Sequence, residues 1–137
     1  MTISELHNQL QLLNIPEDWY YLHGLYGSTD DNDKIALVIK QGGCDVYFKE
    51  HGQKTSERHF DTESEACEYV LKQLKTELIF HKAQRVENIG GMTVNERLFA
   101  SGLLNDFDEA MKQDKGQAKL ILRLLKVDEK SIDAIVK

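Results

Sequence analysis

His51, Lys54 and His59 are the side chains of this chain best suited to chemistry. Two imidazoles and an amine near one hairpin could cleave RNA by general acid–base catalysis. A histidine titrates near neutrality, so one ring can accept a proton while another donates one. The same three residues also suit an exposed polar turn, and His7, His23 and His81 are scattered elsewhere in the chain. A second group, Asp30-Asp31-Asn32-Asp33, has the acid density of a calcium loop. It lacks the spaced ligands, the central Gly and the terminal Glu that calcium geometry needs, so a solvated turn is expected there. The sequence holds no phosphate loop, G-x-G-x-x-G, H-E-x-x-H, C-x-x-C pair or G-x-S-x-G. No metal, no cofactor and no catalytic residue is therefore expected. A small His-dependent RNase is the last of the alternatives.

What remains is a surface for another protein. The first 33 residues hold six carboxylates (Glu5, Glu17, Asp18, Asp30, Asp31, Asp33) and no Lys or Arg. Beyond them acids and bases number 17 each, so the whole formal charge of −6 lies in the opening quarter. Such a field steers basic partners and repels phosphates, which argues against nucleic acid. Inside the segment sit Trp19, Tyr20, Tyr21 and Tyr26. Large aromatics anchor interfaces because they bury much area at little entropic cost. The expected partner-binding residues are Glu17, Asp18, Tyr20, Tyr21, Tyr26, Asp30, Asp31 and Asp33. Core burial is the competing role for Trp19 and two of the tyrosines.

A length of 137 residues with 41% apolar and 29% charged residues describes one globular domain, or one with a small appendage. No apolar run spans a membrane, and no basic amphipathic helix suits a membrane surface. The N-terminus lacks the basic and apolar regions of a signal peptide. Cys44 and Cys67 imply no disulfide framework, and buried free thiols in a reducing cytoplasm are the expectation.

Three S/T-x-x-E capping boxes, at Thr2, Thr62 and Thr93, punctuate the chain. The first opens a helix with Ile3, Leu6, Leu10 and Leu13 on one stripe, which Pro16 should end. Residues 19–25 read as a short strand or ordered loop. Lys34 to Lys40 reads as a largely buried strand, and Gln41-Gly42-Gly43 as a hairpin. From Cys44 to Glu50, Cys44, Val46 and Phe48 should face in and Asp45, Tyr47 and Lys49 out. Thr55 to Phe60 reads as a polar edge strand open to β-augmentation. A helix from Thr62 carries Ala66, Val70, Leu71, Leu74 and Leu78 at helical spacing. The fold class is α+β: a small antiparallel sheet of three or four strands flanked by helices over residues 1–90. A helical C-terminal subdomain over 91–137 should pack on it as one cooperative unit. Within it, Ser101-Gly102 marks a kink, Asp114-Lys115-Gly116 a turn, and Asp128 a cap. Arg97 should pair with Asp106 or Asp108.

The run from Met92 to Met111, Met-Thr-Val-Asn-Glu-Arg-Leu-Phe-Ala-Ser-Gly-Leu-Leu-Asn-Asp-Phe-Asp-Glu-Ala-Met, resembles the helical tail of small bacterial immunity proteins. These proteins accompany polymorphic and contact-dependent growth inhibition toxins. The front of the chain is also similar to them, at Ile15 to Tyr20 and Phe60 to Tyr69. The resemblance implies a cytoplasmic protein without catalysis that binds one cognate toxin domain, commonly a basic nuclease, and occludes its active site. The alternative is a general protein-interaction or adaptor module. The tail motif is structural, so no binding residue carries over from it.

Overall fold

The computed structural model describes all residues, Met1 to Lys137. The chain forms two compact units, Met1–Lys75 and Thr76–Lys137. The division falls inside a long helix, α2 (Glu63–Gln84), rather than at Gly90-Gly91. The reason lies in the helix's apolar positions. Ile79 and Ala83 share a core with the C-terminal helices, whereas Ala66, Cys67, Val70, Leu71 and Leu74 are buried in the first unit.

In the first unit, α1 (Ile3–Leu12) starts at a complete capping box. Thr2 Oγ1 accepts from the Glu5 amide, and Glu5 Oε1 accepts from the Thr2 amide. Ile3, Leu6 and Leu10 are buried; Leu13 is half-buried beyond the helix end. The stop comes before Pro16. Asn14 adopts a left-handed φ of 58° while the Ile15 and Asn14 amides donate back to Leu10 and Gln11 carbonyls. This is a Schellman closure, with Ile15 and Leu10 as its buried apolar pair.

The sheet is α+β in class as expected, but it has five strands and is mixed. Its order is β2 (Tyr26–Gly27), β1 (Tyr20–Leu22), β3 (Lys34–Lys40), β4 (Gly43–Glu50), β5 (Gln53–Phe60). β1 runs antiparallel to β2 and parallel to β3, and the remaining pairs are antiparallel. The expectation of a purely antiparallel sheet fails because the chain makes a hairpin outward before returning. His23 and Gly24 both have positive φ (53° and 72°) and the Leu25 amide donates to the Leu22 carbonyl, which is a type I′ turn. That turn sends β2 to the far side of β1, and β3 then fills the near side. Gly27 is required there: a Cβ on it would lie 2.5 Å from the Tyr20 carbonyl oxygen.

The helices of this unit lie on one face of the sheet. Tyr20, Leu22, Leu37, Cys44 and Val46 are buried on that face. The Met1 amino group donates to Ser64 and the Ile3 amide to Glu63, which ties the start of α1 to the start of α2. Burial raises the thiol pKa of Cys44, and pushes that of Cys67 up to about 12. On the opposite face Tyr47, expected to point into solvent, is 4% exposed. Its hydroxyl donates to Asp31 at 2.6 Å, and the Lys54 ammonium lies 4.5 Å from its ring centre. A bulge at Ser56-Glu57 sets two β5 residues against Tyr47, with Ser56 at φ 51°.

In the second unit α3 (Val94–Ser101) starts at the Thr93 capping box, and α4 (Leu104–Gln113) follows the break at Gly102. α5 (Lys115–Leu124) is capped by Asp114, so Lys115 and Gly116 belong to its first turn and not to a separate loop. α6 (Glu129–Ile135) is capped by Asp128. Leu98, Leu103, Phe107, Ile121, Leu122, Leu125 and Ile132 form the centre of the core. Arg97 does not meet Asp106 or Asp108. Its guanidinium donates to the Met92, Leu125 and Lys126 carbonyls and so closes the end of α5. Asp106 instead lies 3.4 Å from Lys82.

Candidate partner-binding surface

The strand register gathers the acids of the opening segment at one end of the sheet. Tyr20 faces Ile35, Ile35 faces Phe48 and Phe48 faces Thr55. The residues just outside these pairs therefore share an end: the 3-10 turn Glu17–Trp19, the loop 28–33, and the β4–β5 turn at His51-Gly52. Glu17, Asp18, Asp30, Asp31, Asp33 and Glu50 all lie there. Glu50 was not singled out from the sequence; its place before a His-Gly turn was the available signal.

These carboxylates divide into two groups. Asp30 lies 3.7 Å from Lys34, and its side chain also accepts from the Asn32 amide. Asp31 accepts from Tyr47 and, at 3.2 Å, from Lys49. The Tyr47 hydrogen bond is the largest of the effects that hold the Asp31 pKa below its usual value. The charges of Asp30 and Asp31 are thus partly compensated within the fold. Glu17, Asp18, Asp33 and Glu50 are exposed, and none pairs with a Lys or Arg. Only His7, 3.6 Å from Glu17, offers one of them a cationic partner when protonated.

The aromatic residues are more deeply placed than a contact surface requires. Tyr20 is fully buried and leaves the list of surface anchors. Its hydroxyl lies 3.1 Å from His7 Nδ1, and burial followed by the nearby Glu17 charge raises its pKa. Tyr26 is half-buried and stacks on His7 with ring centres 4.7 Å apart. Tyr21 and Trp19 are also half-buried. The Tyr21 hydroxyl reaches toward Gly24 in the β1–β2 turn, at the end of the sheet away from the acids.

The histidine constellation does not assemble. His59 faces Asp45 near one end of the β4–β5 ladder, whereas His51 sits in the turn at the other end. More than five ladder steps of about 3.3 Å separate the two, too far for one phosphodiester. His59 Nδ1 lies 2.7 Å from Asp45 Oδ1, an interaction that raises the His59 pKa and lowers that of Asp45. No three His, Cys, Asp or Glu residues converge on a metal position, and no helix is long and apolar enough to cross a membrane. No protein-family model, curated protein or solved structure matches this chain.

Proposed function

We propose that the protein is an immunity protein that neutralises a cognate toxin domain by covering its basic active-site surface. One observation carries the reading: Glu17, Asp18, Asp33 and Glu50 stand exposed at one end of the sheet without a Lys or Arg partner. Nuclease surfaces are basic because they hold phosphates, so an acidic cover gains association rate from steering and specificity from charge matching. The similarity of the Met92–Met111 run to immunity-protein tails supplies the partner class. The chain contributes occlusion and no bond chemistry.

Co-expression with the toxin domain encoded immediately upstream tests the proposal. Restored growth and co-purification of the pair are expected; continued toxicity with both proteins present would sink it. Glu17→Gln, Asp18→Asn and Asp33→Asn together should slow association by about tenfold at low salt and flatten its salt dependence. An unchanged rate would move the interface elsewhere.

A further inference from the structure

β5 closes one side of the sheet, and from Gln53 to His59 every residue is exposed. Its ladder partner is β4 alone, so its outer amides and carbonyls face away from the sheet. The opposite edge, β2, is two residues long. A free edge of β5's length is a template for another strand, and charge decides which.

A second copy of β5 fits poorly. A twofold antiparallel pair keeps each sheet face on its own side, so facing residues must come from the same face. Lys54 lies over Tyr47 on the open face, and His59 meets Asp45 there. Arg58 lies on the other face, 5.1 Å from the Tyr69 ring of α2. With the bulge between them, the register that matches faces along the strand sets Lys54 against His59 and brings the two Glu57 residues together at the axis. Like charges directly opposed are destabilising.

We propose that the β5 edge binds an extended acidic segment of another protein, which adds antiparallel to it as a sixth strand. Lys54 and Arg58 have no carboxylate partner and are seated on tyrosine rings, which limits the entropy lost when they meet one. Counting along the β4 ladder, Lys54 and Arg58 stand at steps one and four, with the bulge at step three, and His59 at step five already meets Asp45 and Asp61. An antiparallel strand therefore meets Lys54 and Arg58 with one acid, two neutral residues and a second acid. This inference is independent of the immunity reading: it concerns the long side of the sheet, not the end that carries Glu17, Asp18, Asp33 and Glu50.

The probe is the peptide Thr-Val-Thr-Asp-Thr-Val-Asp-Val-Thr, compared with the same peptide carrying Lys in place of each Asp. Fluorescence anisotropy should show saturable binding of the acidic peptide only. Amide exchange should slow at alternate β5 residues. Lys54→Glu or Arg58→Glu should each weaken binding about tenfold, with the circular dichroism spectrum unchanged. Equal binding of the two peptides, no binding at millimolar peptide, or unchanged β5 exchange on binding would overturn the proposal.

Discussion

Removing the Tyr47 hydroxyl tests how the acidic loop is held. In Tyr47→Phe the ring keeps its place, and the 2.6 Å hydrogen bond to Asp31 is lost. A hydrogen bond to a charged group contributes about 1.5–3 kcal/mol. Asp31 is 24% exposed and keeps Lys49 at 3.2 Å, so water and the ammonium partly replace the phenol. The expected loss is therefore smaller, about 1–1.5 kcal/mol at pH 7. Trp19 is the sole tryptophan and lies in the first unit, so its fluorescence follows that unit in a urea titration. With a slope of about 2 kcal/mol per molar, the midpoint should fall by about 0.5–0.75 M. The pH dependence supplies a second check. Asp31 has a folded pKa below the usual 3.8, so its stabilisation is present above that value and fades as the pH falls through the folded pKa. The difference between variant and wild type should shrink accordingly toward pH 3. A midpoint shift below about 0.1 M at pH 7, or one that does not change with pH, would refute the argument.

Arg97→Met removes donors to three carbonyls at once and should destabilise by about 2 kcal/mol in thermal melts. Gly102 and Lys126 occupy equivalent left-handed positions after α3 and α5, at φ 75° and 62°. Gly102→Ala should therefore cost about 1 kcal/mol, while Lys126→Gly should gain up to about 1 kcal/mol. Chemical denaturation checks the opposite signs. For the His59–Asp45 pair, the raised His59 pKa gives stability that is present below pH 6.5 and is lost as the pH rises through the folded value. Asp45→Asn should remove that decline from the stability–pH profile.

The parts legible in the sequence are those whose causes are local. Two of the three capping boxes, at Thr2 and Thr93, form in full because donor and acceptor lie three residues apart; at Thr62 the hydroxyl accepts from the Glu65 amide and donates to the Glu65 carboxylate, so the cap is made without the backbone return bond. The apolar stripe Ala118, Ile121, Leu122 and Leu125 is buried as periodicity predicts. Errors arose where a partner comes from afar. The Tyr47 hydroxyl donates to a carboxylate 16 residues away, and Arg97 caps carbonyls 28 and 29 residues on. No strand alternation or helix spacing encodes either contact. The mixed sheet had a local signal, His23-Gly24, the same dipeptide type that turns β4 into β5 at His51-Gly52. At the candidate surface the acids were readable as a composition, but their division into compensated and free depended on Lys34 of β3 and on Lys49 and Tyr47 of β4.

The parallel placement of β1 beside β3 also orders events in time. β3, β4 and β5 are joined by tight hairpins and can form early, whereas the parallel pairing must close a longer loop first. The 28–33 segment is clasped to β4 through the Asp33 amide and Asp31 side chain, so it should settle after that meander. Until then Lys34 and Lys49 lack their native carboxylates, and the early meander presents cations where the finished protein presents acids. The expected folding intermediate thus repels a basic partner of the kind proposed for the native state. Pulse-labelled exchange would reveal this order as protection of β4 and β5 amides ahead of Tyr21 and Leu22, and simultaneous protection would exclude it.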